Sequence, residues 1–281
     1  MVVDSVPAEG PSTTGRAGRN LPAAIAVGVV LAVAIIASLF VYKVLFVVLV
    51  LAAILLAVDE VARALSTGGT RVERLPIIAG TAAILGSAYF GGPMAMLVAS
   101  ALTILSTIVW RMPKGSAGFV RDTTAGVFVV GYVPVLAGFA IMLTRPDDGP
   151  WRVMTFVLVV VASDIGGYAV GVLFGKHPMA PAISPKKSWE GFTGSAATSV
   201  VAGTLTVHYF LDGSLWAGAL VGAAAVATAT LGDLIESMIK RDLGIKDMSN
   251  LLPGHGGMMD RLDSLLAAAP VIWLMLYLLV R

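Results

Sequence analysis

Long apolar runs, separated by short polar stretches, fill most of the chain. A helix needs about 20 apolar residues to cross the hydrocarbon core of a bilayer, and the third run is short and interrupted by Gly80 and Gly86. The runs cover residues 22–41, 44–63, 75–91, 93–110, 123–143, 153–174, 192–210, 215–234 and 264–280. The pattern predicts an all-α fold, a polytopic integral membrane helical bundle of about nine transmembrane helices.

Composition supports a membrane protein over a soluble domain. Hydrophobic residues make up 57% of the chain and charged residues only 13%, which is typical of polytopic membrane proteins. The chain has no cysteine, so disulfides and thiolate metal sites are excluded. His177, His208 and His255 are scattered along the sequence, so a zinc site is not expected either.

Three regions follow from the distribution of polar residues. Residues 1–20 are rich in Pro, Gly, Ser and Thr and are predicted to form a disordered cytoplasmic tail. Residues 21–150 form an N-terminal transmembrane region. Residues 151–281 form a C-terminal transmembrane region that is predicted to be catalytic, because the chemically reactive side chains are concentrated there.

The positions of Lys and Arg predict the orientation in the membrane. Cytoplasmic loops carry an excess of these residues. With the N-terminus inside, only Lys43, Arg145, Arg152 and Arg281 of the 19 Lys and Arg residues lie outside. We therefore predict a multi-pass protein of the cytoplasmic membrane with its N-terminus in the cytoplasm, its C-terminus outside and the polar residues of the C-terminal region facing the cytoplasm.

One polar stretch, residues 232–264, interrupts the C-terminal apolar runs. Asp233, Glu236 and Lys240 have i, i+3, i+7 spacing, so a continuous helix would place them on one face. Asp260 and Asp263 stand three apart at the start of the next apolar run. Between them, residues 253–257 read Pro-Gly-His-Gly-Gly and cannot form a regular helix. The spacing predicts two helix ends with carboxylates, joined by a glycine-rich hinge.

This combination of residues suits phosphate chemistry. Carboxylates from two helices are the oxygen ligands that Mg²⁺ prefers, and Mg²⁺ usually keeps water or substrate phosphates in its shell. Arg and Lys bind phosphate by paired hydrogen bonds or as point charges. The basic residues of the stretch are Lys240, Arg241, Lys246 and Arg261. The stretch is therefore predicted to be a metal-dependent, phosphate-handling site at a membrane surface.

A second basic loop, residues 183–192, reads Ile-Ser-Pro-Lys-Lys-Ser-Trp-Glu-Gly-Phe. Its two lysines, its hydroxyls and a helix start at Ser188 would favour anions. The alternative is a loop that only follows the positive-inside rule. In the preceding run, Asp164 lies near mid-span, where an ionisable group is a functional candidate, although a buried, hydrogen-bonded acid is the alternative.

Two further features of the apolar runs have both a structural and a functional interpretation. Gly167, Gly171 and Gly175 repeat every four residues, which favours close helix packing. Asp59 and Glu60 close the second run. Such a pair usually marks the membrane interface, and the alternative is that Glu60 lines the site from a neighbouring helix.

Both polar segments resemble the phosphatidate cytidylyltransferases (CDP-diacylglycerol synthases). The first reads Ser237-x2-Lys240-Arg241-x4-Lys246-Asp247, then Pro253-Gly254-His255-Gly256-Gly257-x2-Asp260-Arg261-x-Asp263; the second reads Ser184-Pro-Lys186-Lys187-Ser188-x-Glu190-Gly. With the Asp164 segment, the resemblance covers roughly residues 160–264. It implies transfer of a cytidylyl group from CTP to phosphatidate with release of pyrophosphate, in phospholipid biosynthesis.

Residue chemistry and resemblance together give a hypothesis of roles. The catalytic residues are Asp233, Lys240, Arg241, Asp260, Arg261 and Asp263. Of these, Asp233 and Asp260 bind Mg²⁺, and Asp263 is either a third ligand or an outer hydrogen-bond partner of the metal site. The substrate-binding residues are Asp164, Ser184, Lys186, Lys187, Glu190, Ser237, Lys246, Asp247, Gly254, His255, Gly256 and Gly257. The resemblance also suggests K⁺ as a second cation and a homodimer, whereas glycine-rich faces equally pack helices within one chain. No nucleic acid partner is expected.

Other classes remain as alternatives. A transporter would show an internal repeat with broken helices in both halves, and the sequence has none. A CDP-alcohol phosphotransferase would carry an Asp-Gly-x2-Ala-Arg motif, which is absent. A cytidylyltransferase for another lipid phosphate, such as an isoprenoid one, stays open because the lipid groove cannot be predicted from one sequence.

Overall fold

The computed structural model describes residues 33–249 and 256–280. Residues 33–41 are helical. The helices that follow are α1 (Lys43–Thr67), α2 (Arg74–Phe90), α3 (Gly92–Arg111), α4 (Phe119–Val130), α5 (Leu136–Met142), α6 (Gly149–Phe174), α7 (Trp189–Leu211), α8 (Leu215–Asp242) and α9 (Met259–Leu279). A 3₁₀ turn, Met112–Lys114, follows α3, and a π-helical turn, Gly131–Val135, joins α4 to α5.

The predicted all-α membrane protein is confirmed at the level of class. In the described part of the chain, six helical segments are long and apolar enough to cross a membrane. They are Lys43–Thr67, Gly92–Lys114, Phe119–Met142, Gly149–Phe174, Leu215–Asp242 and Met259–Leu279. Helix α2 is shorter, and α7, which is rich in Gly, Ser and Thr, is not among the six. The predicted tail and most of the first run lie outside the described residues, so the count of nine and the orientation stay predictions.

Glycine and proline set the turn between α2 and α3. Gly91 ends α2, and Gly92 has a φ of 77°, a left-handed conformation that glycine adopts without steric cost. Pro93 then occupies the first turn of α3, where its missing N–H is not needed. The hairpin predicted at these residues is therefore present, and α2 is a continuous helix despite its two glycines.

The small residues of the apolar runs bring helices close together, as predicted. A Cβ at Gly171 of α6 would lie 3.6 Å from the Cα of Gly191 in α7, and one at Gly175 would lie 2.8 Å from Ser188 Oγ. Helices α6 and α7 consequently pack along most of their lengths. Gly80, in the middle of α2, leaves room for the side chain of Thr103 in α3.

Two buried apolar clusters form the core, and α9 contributes to both. The first lies among α1, α2, α4 and α5 and includes Ile54, Ile84 and Val133. The second lies among α6, α7 and α8 and includes Phe156 and Val221. The start of α9 packs into the first cluster and its C-terminal half into the second. The predicted division near residue 150 stays a prediction, but α9 ties the two regions together at the place where the polar stretch ends.

The structure also contains a short β-hairpin, which the all-α prediction did not include. Strand β1 (Pro178–Ala180) pairs antiparallel with β2 (Ser184–Ser188) in the loop between α6 and α7. These strands are three and five residues long, too short to give a periodic signal in the sequence. Ser188 then caps α7 by accepting a hydrogen bond from the backbone N–H of Gly191 at 3.1 Å, which confirms the predicted helix start.

A buried ion pair fixes the turn between α3 and α4. Arg111 and Asp122 are 2% and 3% exposed, and two of their atoms, Nη2 and Oδ2, lie 3.0 Å apart. The Arg111 guanidinium also donates to the carbonyl groups of Gly115 and Ala117. Asp122 additionally accepts the backbone N–H of Arg71 at 3.1 Å. The pair therefore connects three segments of the N-terminal region.

Replacing Asp122 by alanine is expected to destabilise the protein strongly. Arg111 would keep a buried charge without its carboxylate, and removing one partner of a buried pair costs about 3–5 kcal/mol. Thermal denaturation of the purified protein in detergent measures this. Arg121→Ala is the control, because its side chain is 59% exposed and such surface pairs contribute less than about 1 kcal/mol. Equal melting temperatures for Asp122→Ala and Arg121→Ala would contradict the prediction.

Candidate active site

Most of the predicted site residues meet at one end of the helix bundle. Helix α8 is continuous through the polar residues, so Asp233, Glu236 and Lys240 lie on one face, as predicted. Asp233 Oδ1 accepts a hydrogen bond from Ser264 Oγ of α9 at 2.8 Å, and Lys240 Nζ lies 2.8 Å from Asp260 Oδ1. The two helix ends that carry carboxylates are therefore in contact.

Lys240 and Asp260 form the centre of the contact between α8 and α9. Lys240 Nζ donates to both Glu236 and Asp260. The other oxygen of Asp260, Oδ2, accepts the backbone N–H groups of Met248 at 3.0 Å and Gly257 at 2.7 Å. Asp260 also stands in the first turn of α9, where the helix dipole favours an anion. Both carboxylate oxygens are thus engaged in holding the loop between the helices against α8.

Asp233 lies beside Asp263 and is paired with the hairpin. Lys187 of β2 donates to Asp233 Oδ2, which brings the second basic loop to the acidic face of α8. The carboxylates of Asp233 and Asp263 are close enough to interact directly, and Glu236 also acts on Asp263. Asp164 of α6 is exposed and interacts electrostatically with Asp233 and Lys187. The two predicted phosphate-binding segments therefore form one site.

Glu60 of α1 holds the loop from the opposite side. Its Oε1 accepts the hydroxyl of Ser249 at 2.6 Å and the N–H of Met258 at 2.9 Å, and its Oε2 accepts the N–H of Met259 at 2.8 Å. A Cβ at Gly257 would lie 2.7 Å from Glu60 Oε2, so only glycine fits there without a shift. Glu60 therefore caps α9 and fixes the end of the hinge.

The acid pair that closes the second apolar run thus has two different roles. Asp59 is half-buried, with ion pairs to Arg63 at 2.6 Å and Arg74 at 3.2 Å. Glu60 is 5% exposed and belongs to the site. Contact with the loop from a neighbouring helix therefore describes Glu60, and the role of Asp59 as an interface marker stays a prediction.

Glu190 fixes the turn between α6 and the hairpin. Its carboxylate lies 2.5 Å from His177 Nδ1 and accepts the backbone N–H groups of Lys176 and His177 at 3.1 and 3.2 Å. The hydrogen bond with the His177 ring, together with those from the backbone, lowers the pKa of Glu190 to about 2. Glu190 is therefore ionised at neutral pH, and its visible contacts are with the protein backbone and His177.

The remaining predicted residues surround this centre. Arg241 Nε donates to the Ile183 carbonyl at 3.4 Å, next to the start of β2. The exposed residues are Lys186, Arg241, Lys246, Asp247 and Arg261, the half-buried ones are Ser184 and Ser237, and Gly256 and Gly257 lie beside Asp260. Gly254 and His255 lie outside the described residues. The exposed basic groups are thus on the same polar segments as the half-buried Lys187 and Lys240 and their carboxylate partners.

Two residues at the site had not been predicted. Ser264 binds Asp233, and its position next to Asp263 in the polar stretch was an available signal. Tyr132, in the π-helical turn, interacts electrostatically with Asp263, Glu236 and Asp233. No sequence signal could have found Tyr132, because it lies more than 100 residues earlier in an apolar run.

The oxygen donors at the centre fit Mg²⁺ by their chemistry. Within residues 33–249 and 256–280, no group of three or more His, Asp or Glu side chains is arranged to hold an ion. Mg²⁺ usually takes only one or two protein carboxylates and completes its shell with water and substrate phosphates. The neighbouring Asp233 and Asp263 offer such a pair, and Glu236 Oε1 is buried without a hydrogen-bond partner among the described residues.

These observations define a polytopic helical membrane protein with a lysine and carboxylate site at one end of the bundle. A family model described as the cytidylyltransferase family matches residues 22–279. The chain belongs to this family.

Similar proteins share the name of one activity. The chain is 44% identical to the phosphatidate cytidylyltransferase of Mycobacterium leprae, over 95% of this chain and 90% of that protein. It is 42% identical to the enzyme of the same name from Mycobacterium bovis, over 96% and 92% of the two chains. A phosphatidate cytidylyltransferase of Haemophilus influenzae is 42% identical over 44% of this chain and 45% of its own.

Proposed function

We propose that this chain is a phosphatidate cytidylyltransferase, which converts CTP and phosphatidate into CDP-diacylglycerol and pyrophosphate. The observation that carries the proposal is the similarity to phosphatidate cytidylyltransferases across 95% of the chain. The site supports it, because the half-buried Lys187 and Lys240 pair with carboxylates at the end of a membrane bundle. A transporter has no comparable support in the family or in the site.

The reaction needs charge neutralisation more than a strong base. An oxygen of the lipid phosphate attacks the α-phosphorus of CTP, a new P–O bond forms, the bond to the bridging oxygen breaks, and pyrophosphate leaves with that electron pair. The lipid phosphate is already ionised near neutral pH. The barrier lies in bringing two polyanions together in line, and fixed cations lower it. Lys187 and Lys240 are held at the site by carboxylates and can supply such charge.

Mg²⁺ would be held by Asp233 and Asp263 in this proposal, whereas the sequence predicted Asp233 and Asp260 as the ligands and Asp263 as a third ligand or an outer partner. When bound, the ion neutralises phosphate charge and aligns the attacking and leaving groups. The adjacency of Asp233 and Asp263 supports that pair. Asp260 already accepts Lys240 and two backbone N–H groups, so its contribution in this geometry is to position the loop and Lys240. K⁺ remains a proposed second cation.

The two basic segments would divide the substrates between them. Lys240, Arg241, Lys246 and Arg261 would bind the phosphates of CTP and the leaving pyrophosphate. Ser184, Lys186 and Lys187 would bind the phosphate of the lipid. The hairpin lies beside the end of α6, whose Ile165, Tyr168 and Phe174 are 64%, 75% and 62% exposed. Such an apolar surface next to the basic hairpin supports sideways entry of a lipid from the bilayer.

Orientation and assembly complete the proposal. The distribution of Lys and Arg supports a site that faces the cytoplasm, where CTP is found. Small residues also permit a homodimer, which remains a proposal beside the helix contacts within the chain.

Purified protein in detergent is expected to release pyrophosphate from CTP only when phosphatidate and Mg²⁺ are both present. The lipid supplies the nucleophile and Mg²⁺ the charge neutralisation, so omitting either, or adding a chelator, should abolish release. Pyrophosphate is measured by a coupled assay, and the CDP-lipid product by mass spectrometry. Heat-denatured protein is the control.

The same assay with an isoprenoid phosphate in place of phosphatidate distinguishes a phosphatidate cytidylyltransferase from a cytidylyltransferase for another lipid phosphate. Release with an isoprenoid phosphate and none with phosphatidate would replace the proposed substrate while retaining the nucleotide chemistry. The proposed activity would be overturned if neither lipid gave release and thermal denaturation showed that the protein was folded.

A further inference from the structure

Tyr132 brings a hydroxyl from the N-terminal region to the acidic site of the C-terminal region. It is 8% exposed and belongs to the same buried cluster as Met248, in the loop before α9, and Met259, the first residue of α9. Its ring stacks on Phe128 with centroids 5.4 Å apart and an interplanar angle of 17°. The ring is therefore held in a defined position at the inner face of the bundle.

The hydroxyl of Tyr132 has no hydrogen-bond partner among residues 33–249 and 256–280. A buried, unpaired polar group costs about 1–3 kcal/mol, so this oxygen contributes nothing favourable to the stability of the described structure. A phenylalanine would pack as well without that cost. The hydroxyl can therefore make a favourable contribution only through a hydrogen bond that forms when the site binds a ligand.

The surroundings of the hydroxyl are acidic. Asp263, Glu236 and Asp233 all interact electrostatically with it, Asp263 most strongly. Glu236 Oε1, on the same cluster, is also buried without a partner in the described part of the chain. An unpaired donor in the turn before α5 and an unpaired acceptor on α8 are therefore both associated with the same group of carboxylates.

The backbone explains how Tyr132 reaches this point. It lies in the five-residue π-helical turn Gly131–Val135, which contains Pro134. Proline has no N–H to donate and disturbs the regular α-helical hydrogen bonds, and single π turns within helices are frequent at functional sites. The turn changes the helical register, and thereby the direction of the side chains that it carries.

Resting on the proposed function, we propose that Tyr132 is a positioning residue of the cytidylyl-transfer site, whose hydroxyl donates a hydrogen bond to the Asp263 carboxylate when that carboxylate holds Mg²⁺. Carboxylates that bind metals are usually oriented by such outer hydrogen-bond partners, and loss of a partner typically weakens metal binding or activity about 10- to 100-fold. The N-terminal region then contributes a specific group to catalysis in addition to the cap that Glu60 provides.

Tyr132→Phe tests this inference, because it removes one oxygen and keeps the ring. We expect an unchanged or higher melting temperature without ligand. We expect the Mg²⁺ concentration for half-maximal activity to rise about tenfold. The midpoint of thermal stabilisation by Mg²⁺ with CTP, measured without lipid, should rise equally. At saturating Mg²⁺ most of the turnover should return.

Thr155→Val is the matched control. Thr155 of α6 is fully buried, and its hydroxyl also lacks a partner among the described residues. It lies between the buried Val153 and Phe156 near the start of α6, whereas Asp164 lies in the C-terminal half of that helix. This variant should retain the wild-type Mg²⁺ dependence. A wild-type Mg²⁺ dependence in Tyr132→Phe, in both activity and thermal stabilisation, would overturn the inference whether or not stability changes.

The two proposals can fail separately. An inactive wild-type protein would overturn the proposed activity. The role of Tyr132 could still be tested, because the midpoint of thermal stabilisation by Mg²⁺ with CTP can be measured for Tyr132→Phe and for wild type without any turnover. An active wild-type protein with an unaffected Tyr132→Phe variant would overturn only the role of Tyr132.

Discussion

Asp260→Asn is expected to reduce cytidylyl transfer by about 100-fold or more while the protein still inserts and folds. Asn has nearly the same shape as Asp, but it carries no charge and its amide nitrogen cannot accept a hydrogen bond. Asp260 accepts from Lys240 and from the N–H groups of Met248 and Gly257, so one of these donors would face another donor. The loop and Lys240 would both lose their fixed positions.

Turnover of the purified variant, measured by pyrophosphate release, gives the result, and size-exclusion chromatography and thermal denaturation show whether the protein is folded. Asp242→Asn is the matched control, because Asp242 is an exposed acid at the end of α8 outside the site. Turnover of folded Asp260→Asn within about twofold of the Asp242→Asn control would rule out Asp260 as a necessary residue, both as a metal ligand and as a positioning group.

The centre of the site was predictable because its residues are close in sequence. Helical spacing alone placed Asp233, Glu236 and Lys240 on one face, and α8 carries them so. The glycine-rich hinge required that the next helix return to the same end, which brings Asp260 back to Lys240. Local periodicity and chain direction were sufficient, since few other arrangements of two consecutive membrane helices are possible.

The support around the centre was not predictable in the same way. Glu60 contacts Met258 and Met259, almost 200 residues away, and this contact depends on which helices pack together. Spacing along one helix contains no such information. Tyr132 is reached through the same long-range packing. The hairpin was missed because Lys187 and its neighbours form a strand only by pairing with a second short segment.

The polar network also shows why a basic site can be built at the end of an apolar bundle. Lys240 is paired with two carboxylates, and its side chain is 17% exposed. Buried charges are tolerated when they are paired and hydrogen-bonded. The acidic residues hold the two lysines in place, and under the proposed function they would also provide oxygen ligands for a cation.

Lys240→Met is expected to lose both stability and activity. The side chain of Glu236 is 2% exposed and that of Asp260 is 8% exposed, and Lys240 forms an ion pair with each of them. Removing the charge of one member of a buried pair costs about 3–5 kcal/mol. Methionine keeps the length and apolar stem of lysine, so the loss reports on the ammonium group. The melting temperature and pyrophosphate release are measured together.

A second substitution separates the two effects of Lys240. Glu236→Gln removes the negative charge that Lys240→Met leaves buried, so the double variant should regain much of the lost stability. Its activity should remain absent, because no ammonium group would be present to bind substrate phosphate. The single Glu236→Gln variant completes the cycle, and the coupling between two residues in contact typically reaches about 0.5–3 kcal/mol. A double variant that recovered activity along with stability would show that Lys240 only balances the charge of Glu236 and takes no part in phosphate binding.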